Sequence, residues 1–183
     1  MGLAIKNALA EYFRKLTQYS EARFGEKPKV TFSEKLNKNL ILSDPDEDGE
    51  VSWHAVFQEK AVDWAAVESR IGFVINDELK DYYGTYYFLS LNGVIGNIQL
   101  FFYPIDGHIT VESMIEQQNW DAKAFGRSNK SFLIGNAIVN DDDAYFIIYE
   151  NDGDVFFYDN ETHRVIKSGL SLHQIIGSME ARE

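Results

Sequence analysis

Carboxylates are the most concentrated reactive groups in this chain. Asp44-x-Asp46-x-Asp48-Gly49-x-Val51-Ser52 sets acidic oxygens at positions 1, 3 and 5 of a loop, glycine at 6 and an apolar residue at 8. That spacing would wrap a calcium ion, with the glycine making the sharp turn. Such a loop also needs a bidentate glutamate at position 12, where Ala55 stands, and an entering helix that LNKNLIL does not supply. The pattern reads as an acidic surface turn, and no metal is expected there.

A second acidic group is Asp141-Asp142-Asp143, with Asp152 and Asp154 nearby across a predicted hairpin. Paired carboxylates can transfer protons or hold magnesium when a pocket shifts their pKa values or converges them. At loop tips, without a positioned histidine or lysine, they are solvated and suited to recognition. His54, His108, His163 and His173 show neither HxxxH nor HxH spacing, and there is no cysteine to complete a zinc site. GxSxG and GxxxxGK[ST] are absent. No catalytic constellation emerges, so neither enzymatic activity nor a cofactor is expected.

The run Tyr82-Tyr83-Gly84-Thr85-Tyr86-Tyr87-Phe88 packs aromatics too densely for all of them to face one core. Tyrosine joins large contact area to a polar tip, so partly exposed rings there would mark a protein interface. Charge points the same way. Lys and Arg number 17 against 29 Asp and Glu, a net charge of −12, which disfavours phosphate backbones and favours basic protein surfaces. No apolar stretch approaches the roughly 20 residues of a membrane span. The charged N-terminus lacks a signal-peptide core, and Lys6 stands where a myristoylation signal wants Ser or Thr. A soluble, cytoplasmic chain without membrane insertion is expected.

The elements that must position these groups follow from periodicity. Leu3, Leu9, Tyr12, Phe13, Leu16, Tyr19 and Phe24 predict an amphipathic helix over 3–24. A brief strand at Leu40–Leu42 and a strand VSWHAVF at 51–57 flank the acidic turn. Asp63 caps a helix stopped by Gly72, and a second helix starts near Asp77. YYFLSL and NIQLFFY read as strands separated by turn formers Asn92, Gly93 and Gly96, and 111–125 reads as a helix. SFLIGNAIV, AYFIIYE and DVFFYD are three more strands, the last two joined by Asn151-Asp152-Gly153, and a helix with Ser171 near its start closes the chain. Hairpin-like runs of strands favour α+β over doubly wound α/β: one domain over 1–183, mainly antiparallel sheet packed with several helices. Trp53, Trp64, Val67, Ile71, Ile134, Phe146, Ile148, Phe156 and Ile176 are the expected core.

Several segments together resemble the Syd family of SecY-interacting proteins within the SUKH superfamily. LAIKNALAEYF resembles that family's opening helix, FSEKLN its short Ser-Glu segment, and VSWHAVF its tryptophan strand, with Ala55 where proline is common. WAAVESRIGFVINDELKDYYGTYYFLSLNG is similar to its Val-Glu helix and aromatic segment, and FLIGNAIVNDDDAYFIIYENDGDVFFYD to the broader SUKH pattern of strand, acidic turn and hairpin. The segment EQQNWDAKAFGRS departs from the family. The resemblance implies a SUKH-like α+β fold without enzymatic activity. It also implies one of two partners: basic cytosolic loops of the SecY translocase, at the cytoplasmic face of the membrane, or a polymorphic toxin such as a nuclease, neutralised by an immunity protein. Either partner would present a basic surface. The expected binding face combines Asp44, Asp46, Asp48 and Glu50 with Tyr82, Tyr83, Tyr86 and Tyr87 and with Asp141, Asp142 and Asp143.

Overall fold

A computed structural model of the chain describes residues 2–124, 127–140, 143–159 and 161–182. Helix α1 (Gly2–Phe24) buries Ile5, Leu9, Tyr12 and Leu16, a stripe at helical spacing. Leu3 and Phe24, expected on that stripe, lie outside it and are exposed. Strand β1 (Lys29–Thr31) pairs antiparallel with β2 (Glu50–Ser52), and the acidic turn connects to this ribbon. The expected strand at 40–42 is instead a single 3-10 turn, Lys38–Leu40, capped by the Asn37 side chain, followed by one bridge from Ile41 to Trp53. The predicted strand 51–57 breaks in two. Trp53 turns into the core, where it is 1% exposed, and β3 (Val56–Phe57) leaves to pair with β4 (Tyr86–Tyr87), leaving Phe57 exposed.

Helix α2 (Trp64–Ile71) starts at Asp63, whose Oδ1 accepts from the Ala66 N–H at 3.0 Å, and ends at Gly72 with φ 88°. Helix α3 (Asp77–Thr85) is capped by Asn76 rather than by Asp77: the Asn76 side chain accepts from the Glu78 N–H at 2.8 Å. Then come β5 (Leu91–Ile95), β6 (Ile98–Phe102), α4 (Val111–Ala124), β7 (Ser131–Val139), β8 (Asp143–Glu150), β9 (Val155–Tyr158), β10 (Val165–Lys167), α5 (Leu172–Ser178) and β11 (Glu180–Arg182). Asn92 and Gly93, expected in a turn, lie within β5. A Cβ at Gly93 would sit 2.6 Å from the Glu180 carbonyl, so glycine lets β11 approach, and the turn follows at Gly96 and Asn97.

Seven strands form one antiparallel sheet in the order β10-β9-β8-β7-β6-β5-β11, which makes the fold α+β. One face of it packs against the helices. Leu91, Leu100, Phe102, Ala137, Tyr145, Ile147, Tyr149, Val155 and Phe157 share a core with Leu9, Tyr12, Leu79, Ile115 and Ile176. Tyr12 fastens α1 to β5: its hydroxyl donates to the Asn92 carbonyl at 2.7 Å and accepts from the Asn92 N–H at 2.8 Å. The core expectation fails for three residues. Trp64, Phe146 and Phe156 are only half-buried, the last two because they point to the other face of the sheet. AYFIIYE and VFFY are apolar at both parities, so nothing in their alternation sets the phase.

Candidate functional site

The expected binding face does not assemble as one surface. Leu79, Tyr82 and Tyr83 lie on one side of α3, three and four residues apart, which turns both tyrosines into the core at 1% and 2% exposure. Burial pushes both phenols well above their usual pKa. They cannot meet a partner in this fold. Tyr86 and Tyr87 are half-buried, Tyr86 between Phe13 and Phe57 with ring centroids 5.6 Å from each. Asp141 and Asp142 lie outside the described residues.

The turn from Asp44 to Glu50 spends its central carboxylate on itself. Asp46 Oδ1 accepts from the backbone N–H groups of Asp48 at 3.0 Å and Glu50 at 2.9 Å, and Oδ2 pairs with Lys29 Nζ at 2.8 Å. Lys29, then the Glu50 N–H, hold the Asp46 carboxyl below the usual range. Asp44 and Asp48 are exposed and Glu50 is half-buried in β2. This turn and Asp143 lie at opposite ends of β6. The β1–β2 ribbon adjoins Phe102 and Pro104, whereas Asp143 pairs with Val139, which pairs with Ile98.

One constellation resembles a catalytic relay. His173 Nδ1 lies 2.6 Å from Glu78 Oε1 and 3.0 Å from Ser171 Oγ, with Nε2 3.5 Å from that hydroxyl. A Ser–His–acid relay needs the acid and the serine on different ring nitrogens, and here both crowd Nδ1. Glu78 also accepts from the His173 backbone N–H at 3.0 Å and the Tyr149 hydroxyl at 3.3 Å. The group ties the start of α3 to the start of α5 and to β8.

A further open surface is the sheet face turned away from the helices. Cross-strand register lays Phe101, Asn136, Phe146, Tyr158 and Val165 side by side on β6, β7, β8, β9 and β10. Val165 is 55% exposed and Phe101 36%, while Phe146 and Tyr158 are half-buried. A groove of about 690 Å³ runs over Phe101, Asn136, Ile138, Ala144 and Phe146, and is bounded by Asp143 and by Asp159, Glu161 and Thr162 after β9. Among the described residues, three carboxylates line it and no lysine or arginine does. Asp159 also shapes its own loop. It takes the Thr162 hydroxyl and the N–H groups of Glu161 at 2.8 Å and Thr162 at 3.1 Å, which hold its carboxyl below the usual range and charged into acid. Asp143 was legible in the sequence as part of an acidic cluster. Phe101, Phe146, Asp159 and Glu161 were not, because only the register brings them together.

A family model described as Syd protein (SUKH-2) matches residues 6–102, just over half of the chain. The chain belongs to the Syd family. No curated protein matches it significantly. The matched segment ends at the last residue of β6, so within the groove only Phe101 falls inside it. Among the described residues, no helix is long and apolar enough to cross a membrane, and no group of three or more His, Asp or Glu is placed to hold a metal.

Proposed function

We propose that this Syd-family chain is a non-enzymatic binding module of the cytoplasm that docks on basic cytosolic loops of the SecY translocase through the open sheet face. The observation that carries the reading is the groove itself, in which, among the described residues, aromatic walls stand beside three carboxylates with no lining lysine or arginine. A chain of net charge −12 draws a cationic partner by long-range attraction, and the apolar walls then supply area that holds it. Catalysis has no comparable support, since the Glu78–His173–Ser171 group is a tie between elements.

Binding of the full chain to vesicles carrying the translocase, compared with empty vesicles of the same lipid, tests the proposal. Binding should weaken as salt rises, because the Debye length falls from about 10 Å at 0.1 M to about 3 Å at 1 M. Reversing Asp143 and Glu161 to lysine together should abolish it. Salt-insensitive binding, or no difference from empty vesicles, would defeat the reading. Tight binding to a purified nuclease toxin in place of the translocase would move this protein to the immunity role found among SUKH relatives.

A further inference from the structure

We infer that the slot between Phe101 and Phe146 receives one arginine side chain of the partner, an inference that rests on the binding reading above and adds what the groove selects. Phe101 on β6 and Phe146 on β8 both register with Asn136 on the strand between them. Strand spacing places the two phenylalanines about 9–10 Å apart. Their rings stand off the sheet on either side of a short residue. Two van der Waals contacts of a flat group, one with each wall, need about 7–8 Å. The slot therefore admits one thin planar group between the two rings, and its width alone does not choose among planar groups. Asn136 forms a polar floor, its Oδ1 accepting from the Tyr103 hydroxyl at 3.3 Å. In the next row Ile138 registers with Ala144, whose single methyl lowers the β8 wall there, while Ile138 stands in line with Asn136 along β7.

The chemistry of the rim decides the charge of the occupant. Asp143, Asp159 and Glu161 line the groove, and the basic residues nearest in sequence, His163 and Arg164, do not. His163 is turned to Tyr158, with Nδ1 2.7 Å from its hydroxyl. Aromatic faces beside carboxylates stabilise an organic cation through the ring quadrupole and by ion pairing. Arginine fits better than lysine. Its guanidinium is planar, more weakly hydrated than an ammonium and able to stack on a ring while its edge donates to a carboxylate.

The test uses the isotope-labelled full chain and three polar twelve-residue peptides that differ only at one central position: arginine, lysine or citrulline, the neutral isostere of arginine. Titration followed by NMR should shift amides at 101, 136, 144–146 and 159–162 with the arginine peptide. The lysine peptide should bind several-fold more weakly, and the citrulline peptide at least tenfold more weakly. Phe101→Ala and Glu161→Gln should each weaken the arginine peptide by about two- to fivefold, with the melting temperature unchanged. Equal binding of the lysine peptide overturns the arginine assignment. Equal binding of the citrulline peptide, or shifts confined to other surfaces, overturns the slot. If the variants leave peptide binding unaltered while translocase vesicles still bind in a salt-sensitive way, the slot falls and the proposed function stands. If the peptides behave as expected and the vesicles do not bind, the slot stands and the proposed function falls.

Discussion

Phe146 and Ile147 are neighbours on β8 with opposite fates. Ile147 is completely buried under the helices, whereas Phe146 is half-buried on the outer face beside the groove. The same division runs through β9, where Phe157 faces in and Phe156 faces out. Both faces of these strands are apolar, so hydrophobicity does not say which one is core. What separates them is the helices, which cover one side only. An apolar sheet face that the helices leave open, rimmed by carboxylates, is a surface suited to something else.

The contrast is sharpest in stability. Ile147→Ala should cost about 2–5 kcal/mol, through lost burial and a cavity that the close-packed core cannot collapse around. Phe101→Ala, already in contact with solvent, should cost under about 1 kcal/mol. Denaturant unfolding of both variants checks this, and similar losses would mean that the outer face is also core. A smaller inner-face effect is expected at Tyr12. Tyr12→Phe keeps the packed ring but strips Asn92 of both partners of its backbone N–H and carbonyl. A loss of about 1–3 kcal/mol should follow in the same experiment, and a neutral result would show that water replaces the hydroxyl.

How far the sequence could be read follows from the same division. The helices were legible from their periodicity, with the expected caps Asp63 and Ser171 in place before α2 and α5, although α3 is capped by Asn76 and not by Asp77. The central strands β6 to β9 were legible as elements, and their hairpin order as α+β. Three things were hidden. Strands β1, β10 and β11 span three residues each, too short for alternation to register. The glycine within β5 looked like punctuation because its reason, the close approach of β11, comes from the far end of the chain. The burial of Tyr82 and Tyr83 was not legible because a crowded aromatic run does not say which side of a helix each ring takes, and α3 turns both onto the side of Leu79. Of the groove, Asp143 alone was legible as a site residue, because a site made by register across β6, β7 and β8 and by the loop after β9 leaves no contiguous motif.

Acidic groups divide in the same way, into internal ties and open surface. Burial raises the cost of charge on Glu68, but Lys80 Nζ at 2.6 Å and the Ile75 N–H at 2.8 Å outweigh it and hold the carboxyl below its ordinary 4.5. A carboxyl with a depressed folded pKa contributes stability that is fully present above the unfolded value and is lost as pH falls through the folded one. Glu68→Gln should therefore lower the melting temperature at neutral pH, and the gap to the parent should close as pH drops below about 4.5. Glu161→Gln, with its carboxylate in the open groove, should show little gap at any pH. A constant gap for Glu68→Gln would mean that packing, not charge, holds that residue.

The smallest effects expected are kinetic and separate the two components of the outer face. Asp143 stands at the rim, exposed at the start of β8, while Phe101 forms a wall of the groove. Rim charges act mainly before contact, by steering, whereas buried apolar area acts after it, by slowing escape. With immobilised translocase vesicles, Asp143→Lys should lower the association rate several-fold and leave dissociation nearly unchanged. Phe101→Ala should leave association nearly unchanged and speed dissociation by a similar factor. Raising salt to 1 M should erase the first difference, because a Debye length of about 3 Å no longer carries the rim charge to the approaching partner. It should leave the second in place. If Asp143→Lys instead acts chiefly on dissociation and survives high salt, Asp143 is inside the contact, and the interface reaches the start of β8.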